Sequence, residues 1–550
     1  MGRPEKSNIR KMNPAAQVLF PISNYGSQTR NIIIASHFKK NINEEEGELI
    51  LKLGLRFCLN CNKETFKWKC DCGQRTIKKF FCMNCNIYTT SKYCPNCGNS
   101  INNNSSLQKI NIKKLLNNIY LNLNINKKLD IIKGVKELMN NSKTPEPLEK
   151  GVLRSIHDVY IFKDGTCRYD MSDLPLTHFK ASEIGINIED LKKLGYNYDI
   201  YNNEINSKEQ IIELFIQDII ISYECANYLL RVSNFIDSLL QKYYKVSTYY
   251  NATKIHDLLG VLVIGLAPHT SAGILARIIG FTESSVCYAH PFFHASKRRN
   301  CDGDEDCIML LLDGLLNFSR EYLPEKLGGK MDAPLVLTTV INPKEIDKEA
   351  HNIDVCSSYP LDFYIASESI KNPDILKNEM DLISSRIGTN REIQGFMYTH
   401  ETSNISLGPL LSSYKTLESM EEKMRAQLDI AKKIRAVDEN DVAERVLKYH
   451  FLPDIIGNLR AFSKQKTRCS KCSKSFRRPP LSGICPYCNS KIILTVHEGN
   501  VKKYIDISKK ISEYYNISQY LKERINIISE DVESTFNNYP NPQLNLSNFM

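Results

Sequence analysis

Lys297-Arg298-Arg299-Asn300-Cys301-Asp302-Gly303-Asp304-Glu305-Asp306 is the stretch on which the reading of this chain turns. Four acids fall within the five positions 302 to 306, broken only by Gly303, with three bases directly before them and a nearly unbroken apolar run, Ile308 to Leu312, after them. Two carboxylates with a glycine between them can fold back around a hard cation. Mg²⁺ takes oxygen ligands from one or two carboxylates and leaves the rest of its shell to water and phosphate. The bases are placed to hold phosphates of the same substrate, which is the layout of metal-assisted phosphoryl or nucleotidyl transfer. The same acids also read as the first turn of a helix, because Asp and Glu favour helix N-termini and Ile308 to Tyr322 has the composition of a buried helix. A cap uses one or two acids, however, and four so close together repel one another unless a cation sits among them.

Outward from this stretch the matches multiply. Tyr288-Ala289-His290-Pro291-Phe292-Phe293-His294-Ala295 precedes it. Leu266-Ala267-Pro268-His269-Thr270-Ser271-Ala272-Gly273 lies upstream, and Leu323-Pro324-Glu325-Lys326 with Gly328-Gly329-Lys330-Met331-Asp332-Ala333-Pro334 lies downstream; the chain opens on Gly2-Arg3-Pro4-Glu5-Lys6. Together these segments resemble the active-site region of the large subunit of the archaeal family D DNA polymerase, over nearly the whole chain. The resemblance implies a mixed α+β, multidomain protein whose core is a double-psi β-barrel, shared with multisubunit RNA polymerases. It implies a replicative, DNA-directed DNA polymerase using a two-metal mechanism, with primer–template DNA and dNTPs as substrates. It makes Asn300, Asp302 and Asp304 catalytic and Asp302 and Asp304 the Mg²⁺ ligands. Lys297, Arg298 and Arg299, with Lys6 and Lys11, would neutralise developing charge. A small exonuclease subunit and the sliding clamp are the implied partners.

The family's large subunit is longer at its N-terminus, so this chain resembles its C-terminal half, either a separately made protein or a fragment. A separately encoded N-terminal portion is then a further expected partner. A second reading follows: without that half, the chain is a catalytically silent zinc-ribbon platform for assembly. Primer extension with and without the missing half separates the two. A transcription-type polymerase is a third reading, separated by testing deoxy- against ribonucleotides.

Composition sets the bounds. The 550 residues are 42% hydrophobic, enough for several domains. A net charge of +10 favours a polyanionic partner. No run has the apolar length of a membrane span and no signal-like N-terminus is seen, so a cytoplasmic protein is expected. Of 18 cysteines, twelve fall in three groups of four built from close pairs. A large, Lys-rich chain without a signal is an unlikely disulfide scaffold, and metal is the better reading.

In chain order, residues 1–50 form a basic N-terminal segment with Arg3, Lys6, Arg10 and Lys11. By composition it is a solvated tail; by resemblance it ends the preceding core region and brings Lys6 and Lys11 to the active-site phosphates. Residues 51–105 hold tandem zinc-binding modules. Cys58-x2-Cys61 is followed by Cys70-x-Cys72, and Cys82-x2-Cys85 by Cys94-x2-Cys97. Two thiolates on a short turn grip one Zn²⁺ and a second pair closes the tetrahedron. The spacers leave interleaved pairings open, and a redox role lacks the flanking βαβ pattern. Residues 106–150 read as a helical linker, with helical periodicity over Ile110 to Leu123 and Leu129 to Met139.

Residues 151–345 are the expected catalytic barrel core. Lys163-Asp164-Gly165-Thr166 between Val159 to Phe162 and Cys167 to Tyr169 signals a hairpin. Gln210 to Tyr223 and Tyr228 to Tyr244 read as helical, Gly260 to Leu266 as a buried strand or helix, and a helix restarts by Ile274. His269, Thr270 and Ser271 are expected active-site neighbours on the connecting loop. His290 and His294 would form a wall facing DNA or nucleotide, with zinc binding as the alternative. Lys326 and Lys330 flank a Gly-Gly able to approach phosphate, and Leu335 to Val340 reads as a strand.

Residues 346–459 are a mixed accessory region. Leu417, Met420, Met424, Leu428 and Ala431 trace one apolar helical stripe, and Asp441-x2-Glu444 reads as a capping box. Residues 460–500 are a basic module carrying Cys469, Cys472, Cys485 and Cys488 as a third zinc site. Within 455–497 there are nine bases, Arg460, Lys464 and Arg468 among them, and no acid. That is a nucleic-acid footprint, with docking to the small subunit as the alternative. Residues 501–550 end in a tail where Gln543, Leu546, Phe549 and Met550 resemble the sliding-clamp-binding box.

Overall fold

The computed structural model describes residues 7–39, 45–101, 104–126, 128–267, 270, 272–300, 303–324, 335–400, 404–407, 410–411, 416–469, 474–487, 489 and 491–537. They divide into two compact units, Met1–Lys415 and Thr416–Met550.

Six strands of the first unit close on themselves. They are β1 (Arg168–Pro175), β2 (Asp218–Ser222), β3 (Leu262–Leu266), β4 (Ala272–Thr282), β5 (Val286–Ala289) and β6 (Glu305–Leu310). The ring runs β1-β5-β2-β4-β3-β6 and returns to β1, a closed six-stranded barrel. β1 with β5 and β2 with β4 are parallel; the other four pairings are antiparallel. Exchanging β1 with β4, β2 with β5 and β3 with β6 returns the same ring with the same strand directions. The two halves of the sequence thus build the same motif twice. A helix follows the second strand of each half: α1 (Tyr223–Ser238) after β2 and α2 (Pro291–Ser296) after β5. A further short helix, α3 (Leu311–Asn317), follows β6.

The closure explains where periodicity misleads. Ile219, Ile220 and Ile221 of β2 and Ile308, Met309 and Leu310 of β6 are all fully buried. A strand covered on both faces reads as a continuous apolar run, which periodicity cannot separate from a buried helix. The helix expected over Ile308 to Tyr322 is therefore strand β6 followed by the short α3, and Glu305 and Asp306 belong to β6. Gln210 to Tyr223 is likewise a short strand, Ile211–Glu213, and then β2, while the helix expected from Ile274 is the eleven-residue strand β4. Tyr228 to Tyr244 is helical, within α1 and the π-type turn Leu239–Tyr244. Val336–Thr338 is a strand, parallel to β4. At the expected hairpin the turn forms, with the Phe162 N–H donating to the Thr166 carbonyl at 2.8 Å, but only its second arm becomes a strand.

Leu129 to Met139 is not a helix. Its backbone pairs instead with the N-terminal segment: Gln17 N–H donates to Lys133 O at 2.8 Å, Ile32 N–H to Ile132 O at 2.8 Å and Val135 N–H to Phe20 O at 3.0 Å. Val18, Phe20, Ile22 and Ile32 are buried in the same core as the barrel strands, and Asn8–Arg10 adds an antiparallel strand beside β1. From Ser7 onward the basic segment is thus part of the fold rather than a solvated tail. Ile110 to Leu123 divides into the end of strand Ser105–Asn111 and helix Ile112–Asn122. That strand pairs over seven positions with Glu48–Gly54, and this two-stranded ribbon carries the first eight clustered cysteines between its arms.

In the second unit, helices Met420–Lys433, Glu439–Val446, Leu452–Lys464, Ile505–Tyr514 and Gln519–Asn537 share one apolar core, with Met424 and Leu428 of the expected stripe inside it. The helix at 439 is capped by Asp438, whose side chain accepts from Asn440 N–H, and not by Asp441; Glu444 accepts instead from the Ser518 N–H at 3.0 Å. A three-stranded sheet of Thr467–Cys469, Ser475–Phe476 and Ile492–Ile493 interrupts the helices.

Candidate active site and metal centres

The loop from Lys297 to Asp304 joins α2 to β6 at one end of the barrel. Its start is fixed by local chemistry: the His290 side chain accepts from Phe292 N–H at 3.1 Å as N-cap, and Pro291 begins α2 where its missing N–H is no loss. The helix stops at Ser296, and Arg298 turns the chain at φ +55. The loop's far end is held by one residue of β1. Gly303 N–H donates to Asp173 O at 3.1 Å, and Asp173 N–H donates to Asp304 O at 2.8 Å. Gly303 sits at φ +98, a conformation that other residues adopt only under strain. Asn300 is exposed, whereas Asp304 is buried with one carboxylate oxygen 3.8 Å from the Arg299 guanidinium. Cys301 and Asp302 lie outside the described residues.

Beneath the loop lies a charged cluster closed to solvent: Asp173 from β1, His294 from α2, Lys297 directly after α2, and Asp306 from β6, each side chain 0% exposed. The Lys297 ammonium contacts the Asp306 carboxylate, stands 3.7 Å from Asp173 and lies 4.0 Å from the Phe293 ring centroid. His294 Nδ1 is 3.2 Å from Asp173, and its Nε2 meets the Leu174 carbonyl at 3.0 Å. Burial pulls the Lys297 amine down, but the charges of Asp173 and Asp306 outweigh it and hold the amine above its usual value. Burial likewise works to raise Asp173, and His294 and Lys297 together hold it below the usual carboxylate range. Asp306 is pushed well above that range by burial and by Asp173 beside it. Next to this cluster, Arg10 meets Asp170 at 2.9 Å and Glu305 at 3.6 Å. Burial, reinforced by Glu305 against Arg10, lifts Asp170 to about 7.

This geometry revises several expectations. Lys297 faces the interior, so of the three bases before the acidic turn only Arg298 is exposed and Arg299 is partly so. His290 and His294 do not face solvent: both are fully buried, and His290 stacks on Phe396 with centroids 4.9 Å apart. The apolar run around them drives α2 into the core. Thr270 is half-buried with its hydroxyl donating to Ala267 O at 2.9 Å. Lys11 is exposed over the Tyr160 ring. Lys6, His269, Ser271, Lys326, Lys330 and the tail positions Gln543, Leu546, Phe549 and Met550 lie outside the described residues. Asp170 and Asp173 escape sequence reasoning; the available signal was two acids within Arg168-Tyr169-Asp170-Met171-Ser172-Asp173, all six of which the strand buries, the acids included.

The first eight cysteines fall into two groups, 58/61/70/72 and 82/85/94/97, each with its sulfurs drawn together so that it can hold a metal ion. This sets aside the interleaved pairings. Sulfur separations of 3.6 Å for Cys58–Cys72, 3.9 Å for Cys61–Cys70 and 3.8 Å for Cys82–Cys97 match the edge of a tetrahedron with about 2.3 Å metal–sulfur bonds. Backbone hydrogen bonds to sulfur, from Gln74 to Cys72 and from Cys97 to Cys94, lower those thiols to about 6. In the third group Cys469 and Cys485 are buried, and Cys472 and Cys488 lie outside the described residues. Arg460 and Lys464, on the preceding helix, and Arg468, next to Cys469 in the chain, are exposed. Among the described residues no helix is long and apolar enough to cross a membrane.

Comparison with known proteins gives concordant matches. Residues 125–423 match the catalytic domain of the DNA polymerase II large subunit DP2 family, and residues 1–113 match its central domain. The chain is 59% identical to the DNA polymerase II large subunit of Methanosarcina barkeri over 551 aligned residues, covering 100% of this chain and 48% of the relative. Identity is 48% to the protein of that name from Archaeoglobus fulgidus, with the same coverage. It is 47% to that of Pyrococcus furiosus, covering 99% of this chain and 43% of the relative. The chain thus spans about half the length of the curated relatives it matches.

Proposed function

The chain belongs to the family of DNA polymerase II large subunits, and from that premise we propose that it carries the nucleotidyl-transfer centre of a DNA polymerase. The observation that supports this most is the acidic turn at the end of a closed barrel, with Gly303 at positive φ and with Gly303 and Asp304 both hydrogen-bonded to the Asp173 backbone. Every side-chain carboxylate there is an oxygen donor, as a hard cation needs. Magnesium held by Asp302 and Asp304 would supply activation of the primer 3′-hydroxyl and steady the triphosphate. Asn300, exposed on the loop, orients the sugar or the metal's water shell. Arg298 and Arg299, with Lys6 and Lys11, neutralise the phosphates, and His269, Thr270, Ser271, Lys326 and Lys330 line the approach. The barrel's internal duplication, with a helix after each second strand, supports a double-psi assignment.

The three cysteine groups hold Zn²⁺ in structural sites, since an all-thiolate tetrahedron leaves no open position for chemistry. The basic third module, with Arg460, Lys464 and Arg468, contacts DNA or the small subunit. Substrates are primer–template DNA and dNTPs. Partners are the N-terminal portion of the large subunit, the small exonuclease subunit and, through Gln543, Leu546, Phe549 and Met550, the sliding clamp. Because the chain spans half of its relatives' length, the rival reading is a platform silent on its own. Primer extension by the chain with and without the N-terminal portion and small subunit tests both. Extension with dNTPs in the assembly supports the proposal. Failure of the full assembly to extend any primer rules it out.

A further inference from the structure

The charges under the loop ask for a different role for Lys297 than contact with substrate. We propose that Lys297 is the internal counter-ion of a buried cluster that positions the acidic turn, an inference that rests on reading that turn as the magnesium site. Asp173, His294 and Asp306 bring ligand atoms within 4.8 Å of one another, the spacing of a metal site. The Lys297 ammonium already lies among them, against Asp306 and 3.7 Å from Asp173. The cation of this site is therefore covalently attached to the chain. To reach a phosphate, Lys297 would have to abandon two carboxylates that water cannot reach, since all four side chains are 0% exposed. A buried charge left unpaired is strongly unfavourable.

The cluster joins the elements that bound the loop. Asp173 is the pivot: its side chain sits in the cluster while its backbone N–H and C=O grip Asp304 and Gly303. Lys297 begins the loop, and Asp306 follows two residues after Asp304 on β6. Neutralising Lys297 sets the Asp173 and Asp306 carboxylates against each other and frees both ends of the loop from one anchor. Lys297 is a positioning residue: its charge acts on Asp173 and Asp306, and through them on the turn.

A double substitution separates this role from direct contact. Lys297→Met removes the ammonium at similar volume, and Asp306→Leu removes the carboxylate it balances. In the primer-extending assembly, Lys297→Met lowers the rate per folded molecule by about a hundredfold, as small misplacements of reacting groups do. It also raises the Mg²⁺ concentration needed for half-maximal rate and leaves DNA affinity unchanged. Adding Asp306→Leu restores the rate to within about tenfold of wild type, because the Lys297–Asp306 pair is then replaced whole by apolar groups, the repulsion between the two carboxylates is gone, and Asp173 keeps His294 at 3.2 Å. If Lys297→Met does not fold, the double variant decides alone, since it has no lysine to offer the substrate. A folded double variant as inactive as Lys297→Met, or a Lys297→Met variant of wild-type rate, overturns the proposal. The Asp304→Asn control keeps the two failures apart: if that control is active, the magnesium-site reading fails whatever Lys297 does.

Discussion

Replacing Gly303 with alanine isolates the conformational part of the site. Gly303 lies at φ +98, and a Cβ built there meets no atom within 4 Å. Steric crowding therefore contributes nothing, and the whole effect is backbone strain, about 1–2 kcal/mol for an L-residue forced to positive φ. Holding the turn against that strain is the Gly303 N–H bond to Asp173 O at 3.1 Å, worth about 1 kcal/mol net. The two are comparable, so strain wins often enough to release the loop locally. A bias of 1–2 kcal/mol is a factor of about 5–30 in population. Gly303→Ala therefore shifts the held-to-released ratio by that factor and, from a turn held by about 1 kcal/mol, lowers the single-turnover extension rate about two- to fivefold, while the melting temperature, set by the barrel core, stays nearly constant. Asparagine, more tolerant of positive φ, falls between glycine and alanine, and valine falls below alanine. The assay is single-turnover dNTP incorporation alongside thermal denaturation. A Gly303→Ala variant of wild-type rate, or rates indifferent to the substituted residue, refutes the reasoning.

Two other outcomes follow from the same structure. Zinc in the four-cysteine groups, as proposed above, would add an apparent stabilisation of about 10–16 kcal/mol per site. Among the described residues the core of the second module is small, Phe80, Cys82, Cys94 and Ile101 with Cys85 and Ile87 packed against them. Cys82→Ser therefore lowers the zinc content by one per chain, and chelation exposes residues 55–101 to hydrogen exchange while the barrel stays protected; an unchanged metal count contradicts this. Burial, helped by His294 and His178, lowers the His290 imidazole to about 3. The unfolded chain takes up a proton near pH 6.5 that the folded one refuses, so stability is complete above that pH and drains away as pH falls toward 3. By pH 5 the loss from this group is about 2 kcal/mol. His290→Asn keeps the helix cap and removes that loss. Denaturant curves at pH 7 and pH 5 should shift by this amount in the variant's favour, and identical pH dependence in both proteins contradicts it.

What the sequence disclosed was what local spacing can carry. Cysteine pairs two apart and acids around a glycine announce themselves because their ligands are neighbours in the chain. The barrel strands do not: β2, β4 and β6 are largely buried on both faces, so their apolar runs have no period, and all three mimic helices. The pairing of Lys133 with Gln17 and Val18 is tertiary and leaves no local trace. The least legible part is the cluster under the loop. Lys297-Arg298-Arg299 reads as one basic patch, yet the carboxylates that claim Lys297 come from β1 and β6, which meet only when the barrel closes. Exposure then divides three consecutive bases into an interior counter-ion, an exposed arginine and one that leans on Asp304.

The most direct measurement is primer extension by the reconstituted assembly carrying Asp302→Asn or Asp304→Asn, with DNA affinity and melting temperature determined on the same preparations. The account predicts that either substitution abolishes Mg²⁺-dependent incorporation while DNA binding and stability remain close to wild type. Extension at the normal rate by either variant contradicts it.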